Sequence, residues 1–465
     1  MARRTLVFGL GRFGGGAGAA RYLATAGDAV RIADRAGAGS LESSVRALAD
    51  LDVDWCLERE DEALLDGVDR VIVNPGVADE HPLLAAARAR GVPLVQEIDL
   101  FLADYPGQVC LVTGTNGKST TTHLLERALS ASRIDCLAGG NIGRSLLDQK
   151  PSWRPEQVAV VEISSFQLAR LDRNRFPCVR GAVVVRVTRD HLDRHGSLAA
   201  YREAKGVAAA AAREFLVHAA DDTVAAGFDS SATTRTTYST QPPQPGQVGI
   251  LAGCIHSELP AARGHVVDQA ALRLLGEFNL ENAMAAFAAA AHLGAARESA
   301  GLGIATAPNL PFRLHAAARL PEGVTVYDNA VSTDVESTAS ALGTLGSLEP
   351  NTVHWVGGGK SKDGDFARAA AILRPNLRTA FLFGAAAEPL ARELSGVPVT
   401  VCATLPAALD AARRSARAGE AILFSPGFAS FDQYANFRAR GEHFLEWLAA
   451  ARTDPATVGS PQQHV

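Results

Sequence analysis

Short apolar runs alternate along the chain with longer stretches whose apolar positions recur at helical spacing, and glycine-containing breaks separate them. Residues 5–8 predict a buried strand, the turn from Gly9 to Gly14 follows, and a helix runs on to Gly27. Residues 29–34 predict the next strand, and residues 70–76 a third that ends in a Pro75-Gly76 turn. A second unit repeats the rhythm: strand 108–113, loop 114–119, helix 120–129, strands 158–161 and 182–185, and a closing helix at 279–293. Within it, residues 230–247 are rich in Ser, Thr, Pro and Gln and read as a long loop or meander. A third unit places strands at 324–327, 352–356, 379–383 and 421–424, and residues 453–465 read as a polar, frayed end. Such repetition implies parallel sheets covered by helices. The expected organisation is α/β throughout, in three domains at 1–103, 104–309 and 310–465.

The length agrees, since 465 residues at about 150 per domain give about three. An apolar fraction of 47% with 20% charged residues excludes wholesale disorder. The formal net charge of −5 carries no basic excess that would point to nucleic acid or an anionic membrane. The first apolar stretch is broken by Gly9, Gly11 and Arg12, so a strand and turn are expected there rather than a secretory leader. No apolar run reaches the ~20 residues of a membrane helix. Six cysteines lie scattered without close pairs, which fits a reducing cytoplasm better than a disulfide framework or a zinc knuckle. Among 45 basic residues only Lys118, Lys150, Lys205, Lys360 and Lys362 are lysines. Where a bare positive charge suffices this chain uses arginine, so each lysine hints at a need for an ammonium or a primary amine.

Three constellations carry candidate chemistry. Gly114-Thr115-Asn116-Gly117-Lys118-Ser119-Thr120 stands between a predicted strand and helix, as a phosphate loop does. Glycines let backbone N–H groups face phosphate oxygens, the helix N-terminus favours anions, Lys118 can reach the outer phosphates and Ser119 can hold Mg²⁺. Two residues rather than four separate Gly114 from Gly117-Lys118, so the loop is a shortened form. Gly9, Gly11 and Gly14 match G-x-G-x-x-G, with Asp34 twenty residues beyond Gly14, a dinucleotide-binding pattern that also suits other nucleotide diphosphates. In the middle unit, Glu162 ends an apolar strand, where a carboxylate commonly serves nucleotide-bound Mg²⁺. Asp190-His191-Leu192-Asp193-Arg194-His195 is the densest titratable cluster, followed by Tyr201 and Lys205. By spacing alone, a solvated polar turn and a surface lysine explain these last residues equally well.

Together these motifs resemble the Mur ligase family, nearly end to end. The resemblance rests on Gly114 to Thr122, Gly139-Gly140-Asn141-Ile142-Gly143 and Glu162-Ile163-Ser164-Ser165-Phe166-Gln167-Leu168. It continues through Asp190 to Ser197 with Tyr201 and Lys205, Asn279 with Asn282, Leu310-Pro311 with Arg313, and Ser425-Pro426 with Ala429 to Tyr434. It implies a Rossmann-like N-terminal domain, a central P-loop ATPase and a Rossmann-like C-terminal domain. The implied reaction is ATP-dependent addition of D-glutamate to UDP-N-acetylmuramoyl-L-alanine through an acyl phosphate, by a cytoplasmic monomer. Gly11, Arg12, Asp34, Asn74, Gly76 and Asn141 would border the precursor. Gly114, Thr115, Asn116, Gly117, Lys118, Ser119 and Thr120 would hold ATP, with Asn279, Asn282, Arg313 and Asp328 closing over it. Ser119, Glu162, His191 and a carbamylated Lys205 would serve two Mg²⁺ ions, and Lys118, Glu162, His191 and Lys205 would form the catalytic set. Thr333, Lys362, Ser430, Phe431 and Phe437 would receive glutamate.

The chain departs from the family pattern at several motif positions. Val331 stands where a lysine is usual, Phe278 replaces a histidine before Asn279, and Phe312 and His315 flank Arg313 in place of His and Glu. Arg186 occupies a stretch that usually includes Asn. These leave open a ligase using L-glutamate or another amino acid, and a nucleotide-binding relative without catalysis. An NAD-dependent oxidoreductase would leave the phosphate loop, Glu162 and Asp190-His191 without work.

Overall fold

The computed structural model describes residues 2–11, 14–142, 145–172, 176–348 and 353–453. Among them, no helix is long and apolar enough to cross a membrane. The first sheet joins β1 (Arg4–Phe8), β2 (Ala29–Asp34), β3 (Asp54–Leu57), β4 (Arg70–Val73) and β5 (Leu94–Val95), all parallel, in the order β3-β2-β1-β4-β5. The strand order reverses at β1 and β4, where open parallel sheets form a ligand crevice.

The second sheet comprises β6 (Gln108–Thr113), β7 (Cys136–Gly140), β8 (Val158–Glu162), β9 (Val179–Val184), β10 (Phe215–Ala219), β11 (Thr234–Tyr238), β12 (Gln247–Leu251), β13 (Cys254–Ser257) and β14 (Gly264–Asp268). Its order is β14-β13-β12-β11-β10-β9-β6-β8-β7, antiparallel only from β12 to β14. The third sheet holds β15 (His315–Arg319), β16 (Thr325–Asp328), β17 (Val353–Gly358), β18 (Thr379–Phe383), β19 (Val399–Cys402) and β20 (Ala421–Gly427), in the order β15-β16-β20-β17-β18-β19. Only the β15–β16 pair is antiparallel.

The chain divides into two compact units. One holds the first two sheets; the other holds the third sheet together with residues 190–193 and 272–280. In the first unit a continuous apolar core takes Val7 and Ile32 from the first sheet and Leu111 and Val161 from the second. Trp153 seals it against Phe101 and Tyr105, with ring centroids 5.3 and 5.5 Å away. In the second unit alternate residues face opposite layers: Trp355 and Leu423 one way, Val356 and Phe424 the other. A parallel strand buried on both faces reads as a continuous apolar run, which is why β17 and β20 are legible in sequence.

Strands that lie at sheet edges are not. β3, β5, β7, β14, β15 and β19 close the six edges, and none carries the expected apolar run, because one flank of each faces solvent. The 230–247 stretch is more than a loop, since it contributes β11 with Thr236 and Tyr238 buried. The strand expected to reach residue 76 stops at Val73, where the Asn74 side chain accepts a hydrogen bond from the Gly76 N–H at 2.8 Å. The helix Glu277–His292 does not close the middle unit, because Arg297–Ala305 follows and packs on the Lys118–Ala131 helix. The close approach is made at Gly303, where a Cβ would stand 2.4 Å from the Arg127 carbonyl. The polar end expected beyond Thr453, and the start of a strand at residue 352, lie outside the described residues.

Candidate active site

In the first unit the chain leaves β6 at Thr113 and enters the Lys118–Ala131 helix through a loop with two left-handed glycines, Gly114 (φ 146°) and Gly117 (φ 83°). Neither accepts a side chain: a Cβ on Gly114 would meet the Val185 carbonyl at 2.5 Å, and one on Gly117 the Asn282 side chain at 2.2 Å. Lys118 Nζ donates to the carbonyls of Gly114 (3.1 Å) and Thr115 (2.6 Å), so its ammonium lies over the loop. Thr115 Oγ1 accepts from the Thr188 N–H at 2.9 Å and lies 2.8 Å from the Tyr201 hydroxyl. Ser119 is half-buried, Thr120 is buried and Asn116 is exposed in the loop itself. A glycine loop at a helix N-terminus, with a cation above it, is an anion receptor.

Beside the loop stand a buried acid and a buried amine. β8 pairs with β6 and ends on Glu162, which is 2% exposed. Its Oε1 accepts from Asn141 Nδ2 at 3.1 Å, while Oε2 is buried with no hydrogen-bond partner. A buried carboxylate oxygen without a partner is costly, and a cation relieves that cost. Lys205, 1% exposed on the Leu198–Ala211 helix, donates to Thr113 Oγ1 (3.0 Å) and to the Gly114 carbonyl (2.7 Å). Thr113 in turn donates to the carbonyl of Ile163, next to Glu162, at 2.9 Å. The amine, the loop and the acid thus belong to one hydrogen-bonded cluster. This set of oxygen donors suits Mg²⁺ beside a phosphate.

At the reversal of the first sheet, a small cavity of about 30 Å³ is lined by Gly9, Gly15, Asn74, Pro75 and Glu97, among others. Gly9 and Gly11 are left-handed, and a Cβ on either would strike the Asn74 side chain. Asp34 accepts from the N–H groups of Gly11 (3.2 Å) and Ala36 (2.8 Å), so part of its carboxylate shapes the turn. Arg12 lies outside the described residues. Glu97 faces this cavity, and burial pushes its carboxyl up to about 7, against a hydrogen bond from Ser145 that lowers it.

The second unit collects the residues expected to receive the amino acid. Lys362 Nζ donates to Asp190 Oδ1 at 2.9 Å, and the His191 N–H donates to the same oxygen at 2.8 Å. Burial pushes the Asp190 carboxyl up, but Lys362 and His191 more than reverse it and hold it below its ordinary value. Asp334, nearby in charge terms, is pushed up to about 6, first by burial and also by Asp190. Ser430 is 2% exposed, Thr333 and Phe437 are half-buried, and Phe431 is 71% exposed. Arg440, fully buried, donates to the Phe428 carbonyl at 2.9 Å and reaches those of Gly358 (3.4 Å) and Ser332 (3.5 Å). It therefore ties together the end of β17 and the loops after β16 and β20. Asp328 accepts from the Ala330 N–H at 2.9 Å, and burial raises its carboxyl.

The division of the chain separates some of the expected groups. His191, Asn279, Arg313 and Asp328 belong to the second unit, whereas Ser119, Glu162, Lys205 and Asn282 belong to the first. Asn279 donates to the Leu275 carbonyl at 2.8 Å, and Asn282 accepts from Thr121 at 3.2 Å. The unusual residues have local explanations. Phe278 packs on the apolar core of the second unit, and the Phe312 ring occupies the space left by Gly441. Arg186 pairs with Glu281 and with Asp221 (3.1 Å), while its carbonyl accepts from the Thr115 N–H at 2.9 Å. Sequence reasoning missed Glu97 and Ser145, and also Arg170 and Arg194. These two arginines hold the turn after β4 through the Val77 carbonyl, at 2.7 and 2.5 Å. Arg194 lay within the Asp190–His195 cluster, which was a usable signal; Arg170 and Glu97 had none.

Three family models match consecutive stretches: a MurD-like N-terminal domain of Mur ligases at residues 3–96, the Mur ligase middle domain at 112–290, and the Mur ligase glutamate ligase domain at 313–428. A UDP-N-acetylmuramoylalanine--D-glutamate ligase of Chromohalobacter salexigens is 34% identical, over 96% of this chain and 97% of its own. Its namesake in Geobacter metallireducens is 33% identical, over 97% and 98%. Among solved structures, UDP-N-acetylmuramate-alanine ligase MurC from Thermotoga maritima has a TM-score of 0.63 at 16% identity, covering 97% of this chain and 100% of that one.

Proposed function

The chain belongs to the Mur ligase family, and from that premise we propose that it joins D-glutamate to UDP-N-acetylmuramoyl-L-alanine at the expense of ATP, in the synthesis of peptidoglycan precursors. The observation that carries this reading is the full-length similarity to ligases of that name, at 33–34% identity. We keep domain limits of 1–103, 104–309 and 310–465, which enclose the three matched stretches. The enzyme is read as a cytoplasmic monomer without a nucleic-acid or membrane partner.

A carboxylate is a poor electrophile, so the alanyl carboxylate is first phosphorylated by ATP, and the resulting acyl phosphate is attacked by the glutamate amine. Gly114 to Thr120 cradle the triphosphate through backbone N–H groups, and Lys118 neutralises charge that builds during transfer. Asn279, Asn282, Arg313 and Asp328 are assigned to the nucleotide. Mg²⁺ fits the free Oε2 of Glu162 together with Ser119, and it would supply charge neutralisation on the phosphates. His191 and a carbamylated Lys205 are assigned to a second Mg²⁺. A primary amine takes up CO₂ to become an anion, chemistry that arginine does not offer as readily, and Lys205 stands in direct contact with the loop. Gly11, Arg12, Asp34, Asn74, Gly76 and Asn141 are assigned to the precursor, with Glu97 lining the cavity beside Asn74. Thr333, Lys362, Ser430, Phe431 and Phe437 are assigned to glutamate, where one cation and several hydroxyl and backbone donors suit a dicarboxylate.

The test is phosphate release from ATP in the presence of UDP-N-acetylmuramoyl-L-alanine, with D-glutamate, L-glutamate or no amino acid. Release only with D-glutamate, and a matching mass gain on the precursor, is the expected result. Release with L-glutamate alone would move the substrate assignment, and no release despite ATP binding would remove catalysis.

A further inference from the structure

The outer hairpin of the second sheet carries three ligating side chains that the ligase reaction leaves unused. β12 turns into β13 through Ala252 and Gly253, both at positive φ (49° and 78°), the two-residue geometry of a tight hairpin. Cys254 therefore opens β13, and it lies directly across from Asp268 on β14. Residues facing each other across an antiparallel pair project from the same face. His265 stands three residues before Asp268 and would point to the opposite face of a regular strand. A register shift changes this: Ile255 pairs with Val267 but His256 pairs with His265, leaving Val266 as the extra residue of a bulge. The bulge turns His265 back to the face of Cys254 and Asp268, while Val266 and Val267 are both buried beneath.

The three ligand atoms lie within 4.8 Å of one another. Cys254 Sγ donates to Asp268 Oδ1 at 3.1 Å, and His265 Nε2 lies 2.9 Å from the same oxygen. Cys254 is half-buried and the other two are exposed, so water has access to the open side.

We infer that Cys254, His265 and Asp268 form a surface site for one divalent transition-metal ion of the Zn²⁺ class, with water as the fourth ligand. Thiolate, imidazole and carboxylate are the donors such an ion takes, whereas Mg²⁺ prefers oxygen alone. Metal–ligand bonds of about 2.0–2.3 Å in a tetrahedron set neighbouring ligand atoms roughly 3.3–3.7 Å apart. The two distances to Asp268 Oδ1, 3.1 and 2.9 Å, need to open by only a few tenths of an ångström, and Cys254 Sγ and His265 Nε2 already lie within 4.8 Å of each other. On binding, Cys254 gives up its thiol proton to solvent and its sulfur bonds to the ion. The ion then clamps β13 to the edge strand β14, in a region separate in sequence from the phosphate loop.

Co²⁺ titration of the full-length, tag-free protein in excess Mg²⁺ tests this. One Co²⁺ per chain should produce a thiolate-to-metal charge-transfer band, lost on adding Zn²⁺. Cys254→Ser should abolish the band. His265→Ala and Asp268→Asn, at exposed positions, should each weaken Co²⁺ binding at least about tenfold. All three variants should keep their circular dichroism and their ligase rate. Absence of the band in the parent protein overturns the site. So does a band that survives Cys254→Ser, or one that neither His265→Ala nor Asp268→Asn weakens, since that marks a lone thiol adduct.

Discussion

In the first unit the acid and the amine assigned to phosphoryl transfer are almost closed to solvent, Lys205 at 1% and Glu162 at 2% exposed, while Lys118 and Ser119 beside them are half-buried and Asn116 is exposed. In the second unit the groups assigned to glutamate range from Ser430, 2% exposed, to Phe431, 71% exposed, and Lys362 is held by Asp190. Most departures from the family pattern lie in the second unit, three of them beside Asn279 and Arg313, which are assigned to the nucleotide, and one, Val331, beside Thr333. Phe278, Phe312, His315 and Val331 all fall in the second unit, whereas Arg186 in the first is absorbed by Glu281 and Asp221. Phosphate chemistry is common to every substrate of such an enzyme and demands fixed donors at fixed distances. Amino-acid recognition tolerates different side chains so long as charge and shape are met.

The sharpest way to break this contrast lies at the phosphate loop. Lys118→Ala should lower phosphate release by about 10³-fold, roughly 4 kcal/mol, whatever amino acid is supplied, with the fold intact by circular dichroism. Lys205→Ala should fall by a similar factor and recover in part with a short-chain carboxylate, whereas Lys205→Arg should not recover. Full activity of Lys205→Ala without rescue would sink the carbamate.

In the second unit the comparable core element is Arg440, whose removal takes a donor from the carbonyls of Phe428, Gly358 and Ser332, although Ser332 keeps the Gly427 N–H at 3.2 Å. Arg440→Met should cost about 3 kcal/mol, seen as a lower urea midpoint, and should raise the KM for glutamate more than that for ATP. An unchanged midpoint would remove Arg440 as the tie between the loops.

A pH test addresses the first unit. The folded Glu97 carboxyl is raised from 4.5 to about 7 by burial, so the folded state holds a proton that the unfolded chain loses across that window. Its stabilising share is complete below about 4.5 and lost as pH rises through about 7, at a cost of up to about 3 kcal/mol. Glu97→Gln should therefore unfold at a higher temperature than the parent at pH 8, and at nearly the same temperature at pH 4. A gap that stays constant with pH would show that Glu97 is not the titrating group.

The smallest effect is expected at the amino-acid end. Lys362→Ala should raise the KM for D-glutamate about tenfold, near 1.4 kcal/mol, and leave the KM for ATP unchanged. An unchanged KM for glutamate would assign Lys362 to Asp190 alone.

The legible parts of the fold were those in which one short segment carries its own signal. β1, β6, β17 and β20 are buried on both faces and read as apolar runs; Gly114 and Gly117 mark a turn that only glycine fits. Edge strands such as β3 and β19 carry no such signal, because solvent rather than a second layer covers part of them. At the site, the identity of Lys118 and Glu162 was visible in their motifs, but the free Oε2 of Glu162 was not. Glu97 was invisible for the same reason: its cavity is made by the loops after β1 and β4.

The sequence by itself determined the alternation of strands and helices, the left-handed turns and the presence of a phosphate loop, since each depends on residues a few positions apart. Only the tertiary structure decided that Lys205 meets the Gly114 carbonyl across 91 residues and that Lys362 meets Asp190 across 172. A local pattern cannot encode such pairs, because which distant residues meet depends on the strand order that packing selects.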